Sequence, residues 1–188
     1  MRGYNIELIG EVLTVREDEK YFYIDLNTPD RQIEHNVIQV LGEKTKCETP
    51  KVGSHVHILG NIRGIQQKDY RTSVVEVVRC SVEDEERFKP EYYMNKVFGR
   101  FIVLYSTPIK EVGVDSRYKT IRLGTEVDGE KESISIIVWN KIADYCEDIK
   151  NWENVFIVGR LQQRKSKVKE VTHQYEVYVY SIKRDEVS

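Results

Sequence analysis

The amino-acid sequence repeats itself weakly, and this repeat constrains the fold more than any other feature of the 188-residue chain. The clearest match joins VHILG at residues 56–60 to VFIVG at residues 155–159, 99 positions later. Each half is therefore predicted to be one copy of the same small fold. Further matches follow in the same order along both halves: 5–10 with 95–100, 23–26 with 120–123, 38–41 with 136–139, and 75–77 with 175–177.

The matching segments are short runs of β-branched and aromatic residues with apolar side chains at alternate positions, which is typical of half-buried strands. Each half has five such runs, and this predicts a small Greek-key barrel or a sandwich. A helix is predicted only over residues 141–152, where one stripe with a period of 3.6 residues holds Ile142, Tyr145, Cys146, Ile149 and Trp152.

A helix between the third and fourth strands is the layout of an OB-fold, although the strand count alone also fits other small barrels. The sequence therefore predicts an all-β protein of two tandem OB-folds, five-stranded Greek-key barrels, of which the second has the helix. In the first half the equivalent residues, 42–50, are fewer and end at Pro50, so we expect the helix there to be reduced to a turn or lost.

A polar run over residues 83–91, which includes Pro90, is the natural boundary between the copies. We predict an N-terminal OB-fold at 1–84, a linker at 85–93 and a C-terminal OB-fold at 94–188. Residues 1–93 carry 13 basic and 17 acidic side chains, whereas residues 94–188 carry 16 and 14. The near-neutral total, a formal charge of −2, therefore hides an acidic half and a basic half, and we expect the two copies to differ in function.

Several function classes are disfavoured. The sequence has neither the roughly 18 consecutive apolar residues of a membrane-spanning helix nor the apolar run of a secretory signal at its first residues. Common hydrolase, P-loop, zinc-protease and deaminase motifs do not occur. Cys47, Cys80 and Cys146 form no metal-binding pair, and His55 and His57 are expected to be packed or solvated. We therefore expect a cytoplasmic protein without catalysis, cofactor, metal or membrane association.

In the second half, a strand ending in Trp139 precedes a helix that starts at Lys141, and a later strand ends in Gly159-Arg160-Leu161. A basic hairpin and the strand segment Tyr175-Glu176-Val177 follow. In this order the chain resembles the bacterial single-stranded DNA-binding protein family, and the tailless PriB-like primosomal proteins are a second comparison. The resemblance is good over 136–182, weak over 95–135 and mainly topological over 5–82.

The resemblance implies an OB-fold that binds single-stranded nucleic acid with stacked aromatic side chains and basic loops. It also implies a homodimer with four OB-folds, in the cytoplasm of a bacterial cell or encoded by a phage or plasmid. Ser133 and Ser166 stand where the family often has tryptophan, and Leu41 stands in the first copy in place of Trp139. The acidic tail of the family is missing, so recruitment of replication or restart proteins through it is in question.

The candidate binding residues are one aromatic side chain and a set of cations. If Ile134, Ile136 and Val138 face the core, then Trp139 faces outward with Ser133, Ser135 and Ile137, because side chains alternate along a strand. An outward indole offers a flat surface for stacking bases, and cations on the second strand and on the hairpin between the fourth and fifth strands would contact phosphates. These cations are Arg117, Lys119, Arg122, Arg160, Arg164, Lys165, Lys167 and Lys169, and the weaker first-copy candidates are Arg63, Lys68, Tyr70 and Arg71.

Three functions remain open at this stage. The leading hypothesis is binding of single-stranded DNA without sequence preference, in replication, recombination or transfer of mobile elements. The second is an OB-fold scaffold for protein partners, which the acidic first half favours. The third is a single-stranded RNA-binding module, because stacking and phosphate contacts do not distinguish the two sugars.

Overall fold

The computed structural model describes residues 5–29, 33–66, 71–86, 88–127, 129–164 and 174–185. The chain divides into two compact units, Met1–Lys96 with Gln162–Gln174, and Val97–Leu161 with Tyr175–Ser188. Strands β1 to β5 form what we call the first barrel, and strands β6 to β11 form the second barrel. The sequence-based boundaries at 84 and 94 stay a prediction.

The first barrel is closed and has five strands. Neighbouring strands follow the order β2-β3-β5-β4-β1, and pairing of β1 with β2 completes the circle. Its strand pairs are antiparallel among the described residues except β3 with β5, which is parallel. The strands are β1 (Ile6–Glu17), β2 (Tyr21–Asn27), β3 (Val37–Glu43), β4 (His55–Gln66) and β5 (Arg71–Val82).

The second barrel repeats this circle with one addition. Its order is β6-β10-β11-β9-β8, closed by pairing of β6 with β8, and the short β7 extends β8. The pairing of β11 with β9 is parallel, like that of β5 with β3. The prediction of two tandem OB-folds is therefore confirmed. The strands are β6 (Met94–Ser106), β7 (Lys110–Val112), β8 (Ser116–Val127), β9 (Glu130–Trp139), β10 (Asn154–Arg164) and β11 (Gln174–Arg184).

Both barrels bend their first strand in the same way. In the first barrel the pairing of β1 with β2 shifts between Val12 and Thr14, and in the second barrel the pairing of β6 with β8 shifts between Val103 and Tyr105. Such a bulge adds one residue to a strand and strengthens its bend and twist. The shared bulge aligns the two copies position by position, with Val12 equivalent to Val103.

A second shared feature is a glycine that approaches the neighbouring strand closely. A Cβ atom on Gly60 would lie 2.6 Å from the carbonyl oxygen of Glu76, and one on Gly159 would lie 2.4 Å from that of Tyr178. Neither position has space for a larger side chain. Because the two glycines are equivalent, Glu76 in β5 is equivalent to Tyr178 in β11.

The register of the parallel pairs corrects the repeat alignment read from the sequence. Leu41 pairs with Glu76, and Ile137 pairs with Tyr178. Leu41 is thus the equivalent of Ile137, and Glu43, two positions later, is the equivalent of Trp139. Residues 75–77 likewise correspond to 177–179, two positions beyond the sequence match.

The helix between β9 and β10 is shorter than predicted. Helix α1 covers Lys141–Tyr145 and is followed by turns. Cys146 and Ile149 of the predicted stripe are buried, but Trp152 is 74% exposed and has a positive φ of 73°. Just after the helix, Lys119 Nζ donates to the carbonyl oxygens of Cys146 and Glu147, and that of Cys146 also accepts from the backbone N–H of Ile149 at 3.2 Å. The equivalent residues 44–54 of the first barrel, all described, form turns and no helix.

The predicted linker residues contact the first barrel. His55 Nδ1 lies 2.9 Å from Glu85 Oε2, and its Nε2 lies 3.1 Å from the hydroxyl of Tyr93. The ring of Phe88 stacks on the imidazole at a centroid distance of 3.7 Å. His55 is therefore a packed residue that holds this segment in place, as expected for a histidine without metal ligands beside it.

Candidate nucleic-acid interface

The outward side of strands β8 and β9 forms a continuous surface, which we call the β8–β9 face. Ile134, Ile136 and Val138 are buried in the core, as the alternation predicted. Between them lie the partly exposed outward residues of β9, and the outward residues of β8 pair with them across the strands. The face consists of Tyr118, Thr120 and Arg122 on β8 and of Ser133, Ser135, Ile137 and Trp139 on β9.

An aromatic pair occupies one end of this face. Tyr118 is the cross-strand partner of Trp139, and the two rings lie 5.2 Å apart at an interplanar angle of 36°. The indole Nε1 is buried and has no hydrogen-bond partner among the described residues. The indole is therefore held by ring contact, and both rings are only partly buried. The sequence pointed to Trp139 but missed Tyr118, although the same alternation places it on the outward side.

A cation occupies the middle of the face. The guanidinium of Arg122 donates to Ser135 Oγ at 3.1 Å and to Ser133 Oγ at 2.7 Å. On the other side of β8, Arg122 pairs with Tyr105 of β6, whose side chain is 53% exposed. These neighbours fix the position of a partly exposed guanidinium beside an exposed ring. Serine at position 133, where the resemblance led us to note a missing tryptophan, thus supports the arginine.

Two further tyrosines continue the aromatic surface onto β11. Tyr178 is in register with Ile137, and its ring lies 5.8 Å from that of Tyr180, which is 50% exposed. Arg160 on β10 is buried, and its guanidinium carbon lies 5.0 Å from the Tyr178 ring centroid. A cation over a ring at this distance is attracted by the π-electrons. In the structure Arg160 thus supports the tyrosines from a buried position.

Lys119 does not belong to the exposed surface, which corrects our sequence-based interpretation. It is only 3% exposed because it shares the inward side of β8 with Ile121 and Leu123. Its ammonium donates to the carbonyl oxygens of Cys146 and Glu147 at 2.8 and 2.9 Å. These bonds satisfy the carbonyl groups after α1, so the charge is used inside the barrel.

Arg117 lies at the start of β8 and forms an ion pair with α1. Its Nη2 lies 2.6 Å from Asp144 Oδ2, and its side chain is 50% exposed. The backbone N–H of Arg117 donates to Asn140 Oδ1 at 3.1 Å, and the N–H of Asn140 donates to the carbonyl oxygen of Arg117 at 2.8 Å. The guanidinium of Arg117 is therefore accessible to solvent, although it is paired with Asp144.

The first barrel carries carboxylates at equivalent outward positions. Each is engaged by a cation of the same barrel: Glu43 pairs with Lys46, Asp25 lies 3.8 Å from Arg16, and Glu76 accepts a hydrogen bond of 2.7 Å from Arg63 Nε. Arg63, one of the weaker candidates, is thus engaged by Glu76. The three equivalent pairs are Glu43 with Trp139, Asp25 with Arg122, and Glu76 with Tyr178.

Solved structures share this fold along almost the whole chain. The wild-type single-stranded DNA-binding protein from Thermus aquaticus matches with a TM-score of 0.71 and 14% identity, over 100% of this chain and 96% of that one. A deletion mutant of the same protein matches with a TM-score of 0.72 and 13% identity, over 98% and 95%. The chain has the fold of a single-stranded DNA-binding protein. The resemblance seen in the sequence is thereby confirmed at the level of the fold.

Weaker and negative comparisons complete this result. The protein PriB from Ralstonia solanacearum covers 49% of the chain with a TM-score of 0.40 and 12% identity. No protein-family model and no curated protein sequence matches the chain. At 13–14% identity the likeness to the Thermus aquaticus protein concerns the fold, so the binding residues have to be argued from this OB-fold itself.

Several predicted site residues of this OB-fold protein lie outside the described part of the chain. The hairpin after β10, which contains Lys165, Lys167 and Lys169, is outside the described residues. Lys68 and Tyr70 of the first copy are outside them as well. Arg164 and Arg71 belong to the ends of β10 and β5, and their side chains are not described. These assignments stay predictions.

Two of the three cysteines have shielded thiols, and His57 is paired with a carboxylate. Burial raises the pKa of Cys80 to about 12 and that of Cys146 to about 11, so both thiols are protonated near neutral pH. His57 Nε2 lies 2.9 Å from Glu7 Oε1. Among the described residues, no group of three or more histidine, cysteine or acidic side chains is arranged to hold a metal ion. No described helix is long and apolar enough to cross a membrane.

Proposed function

We propose that this chain binds single-stranded DNA without sequence preference, and that the β8–β9 face of the second barrel is the binding surface. The observation that carries the proposal is the partly exposed pair Tyr118 and Trp139 on the second and third strands of an OB-fold, the strands that bind oligonucleotides in this fold class. Every base has a flat face, so stacking on such a pair tolerates any sequence.

Cations beside the rings complete the proposed site. Arg122 is partly exposed in the middle of the face, and Arg117 lies just beyond the aromatic pair. Arg164, Lys165, Lys167 and Lys169 remain proposed phosphate contacts of the hairpin. Lys119 is omitted because its ammonium is buried, and Arg160 is assigned the support of Tyr178.

The wider role follows as part of the same proposal. Binding that ignores sequence suits replication, recombination or transfer of mobile elements in a bacterial cytoplasm, and replication or restart proteins are then the expected protein partners. We propose a homodimer with four OB-folds. Sedimentation of the full chain at micromolar concentration tests this assembly, because a monomer at that concentration contradicts it.

A fluorescence titration with oligo-dT tests the binding itself. The chain has two tryptophans, so the variant Trp152→Phe makes the emission report on Trp139 alone. We expect a change in emission on binding and, if four cations each neutralise a phosphate, a slope of log affinity against log salt of about −3. Lack of binding at low micromolar concentration and low salt contradicts the proposal.

Competition assays separate the rival functions. In the first assay, poly-U competes with oligo-dT at equal nucleotide concentration. If poly-U binds more tightly than oligo-dT, the face would be assigned to RNA. A slope near zero would argue against phosphate contacts and favour a scaffold for protein partners. We expect oligo-dT to bind at least as tightly as poly-U and the slope to be steep.

A further inference from the structure

A cleft of about 350 Å³ opens beyond the aromatic end of the β8–β9 face. Its walls are the turn between β7 and β8 and the beginning of α1, and it is lined among others by Asp115, Arg117, Asn140, Lys141 and Asp144. Its volume is at the lower end of the range for small-ligand clefts, which suits a single nucleotide unit. All of the residues that line it are described.

The cleft begins one residue beyond each member of the aromatic pair. Arg117 precedes Tyr118, and Asn140 follows Trp139. Reciprocal hydrogen bonds between Arg117 and Asn140 hold the two strand ends together, and Asn140 adopts a positive φ of 48° as the chain turns into α1. A DNA strand that leaves the aromatic pair over these strand ends therefore meets the cleft next.

The chemistry of the cleft centres on the pair of Arg117 and Asp144. The two groups lie 2.6 Å apart, with side-chain exposures of 50% and 37%. A guanidinium recognises carboxylate and phosphate oxygens in the same way. Asp144 thus presents to Arg117 the kind of oxygen that a phosphodiester would present. Exposed ion pairs of this kind are weak, so an incoming phosphate can replace the carboxylate at little cost.

We infer that this cleft is a subsite for one phosphate of the bound strand, and that Asp144 occupies its place on Arg117 in the DNA-free protein. The inference rests on the proposed function, because it extends the path of the strand from Trp139 into the cleft. Binding exchanges the carboxylate for the phosphate, so Asp144 lowers the affinity of the wild-type protein. Lys141, at the rim of the cleft, adds a second positive charge beside the same phosphate.

The test is a double-mutant cycle with oligo-dT. Asp144→Asn is expected to tighten binding about twofold to fivefold, because it frees Arg117. Asp115→Asn removes the same charge from the same cleft without touching the ion pair, so it is the matched control and is expected to change affinity less than twofold. In an Arg117→Gln background, Asp144→Asn is expected to have no more effect than the control.

The following outcomes decide whether the cleft is a phosphate subsite. An equal effect of Asp144→Asn and Asp115→Asn, or an effect that persists in Arg117→Gln, would overturn the subsite. If Asp144→Asn does not fold, the salt dependence of Arg117→Gln serves instead: a slope shallower than wild type by about 0.7 supports the subsite, and an unchanged slope overturns it. If the wild-type protein does not bind oligo-dT at all, the proposed function itself has failed, which is a different result.

Discussion

The two barrels share a backbone and differ in the chemistry of one face. Both have the bulge in the first strand and the close glycine at Gly60 or Gly159. At three equivalent outward positions, however, the second barrel has an indole, a guanidinium and a phenol, whereas the first barrel has three carboxylates. The fold therefore fixes where side chains point, and the residues at a few outward positions decide what the face can bind.

The three carboxylates on this face of the first barrel form ion pairs with cations of the same barrel. Hydrogen bonds and the charge of Lys46 hold the pKa of Glu43 below its usual range, so its carboxylate stays ionised at neutral pH. Phosphates on this face would meet three carboxylates, at the positions where the second barrel has an indole, a guanidinium and a phenol. The acidic balance of residues 1–93 thus reflects particular positions on the equivalent face, and this difference supports the proposal that nucleic acid binds to the second barrel.

The largest expected effect that tests this comparison is loss of the indole. Trp139→Ala should weaken binding of oligo-dT by about 1–3 kcal/mol, because it removes a stacking surface. Tyr21→Ala is the control: it removes the aromatic side chain at the same end of the first-barrel face, where Tyr21 is the equivalent of Tyr118, and it should change affinity less than twofold. Anisotropy of a labelled oligonucleotide measures both. Equal losses in the two variants would mean that both barrels bind.

The next effect concerns stability, because Lys119 occupies an inward position that Phe22 occupies in the first barrel. Lys119→Met should lower the free energy of unfolding by about 1–2 kcal/mol, since the carbonyl groups of Cys146 and Glu147 lose the hydrogen bonds that the ammonium donates. Thermal unfolding measures this loss. The slope of affinity against salt should stay at its wild-type value, and a shallower slope in a folded variant would return Lys119 to the phosphate contacts.

A smaller effect is expected for the exposed cation of the face. Arg122→Gln should make the slope of log affinity against log salt shallower by about 0.7, the contribution of one phosphate contact. Arg16→Gln removes a cation from the first barrel and should leave the slope unchanged. Titrations at four salt concentrations give both slopes. The assignment fails if the two variants behave alike.

The strands and the outward position of Trp139 could be predicted because both depend on an alternation of two residues. The same alternation hid an error: a shift of two residues keeps every side chain on its own face, so matching 75–77 to 175–177 looked correct. The register of the strand pairs, parallel and antiparallel, shows that Glu43, not Leu41, is the equivalent of Trp139. The bulges that the two first strands share leave no clear trace in the sequence.

Other features of the site could not be predicted from the sequence, for different reasons. Lys119 could have been placed inside from its alternation with Ile121 and Leu123, but its charge suggested an exposed role. The burial of Arg160 arises from contacts with Tyr178 and Tyr180 on another strand, which no local pattern reveals. The carbonyl groups that follow α1 accept hydrogen bonds from Lys119, which is more than twenty positions earlier in the chain.

The smallest expected effect is the sharpest test of the first barrel. Glu43→Gln removes the negative charge that stands in place of Trp139 and keeps the size of the side chain. If the first barrel lies away from the DNA path, affinity for oligo-dT should change less than twofold, because screening at 0.15 M salt limits the reach of an exposed charge to about 8 Å. Anisotropy at low and physiological salt measures the effect. A gain of more than threefold that disappears at high salt would place Glu43 beside the phosphates, and the two faces would then have to be treated as one binding path.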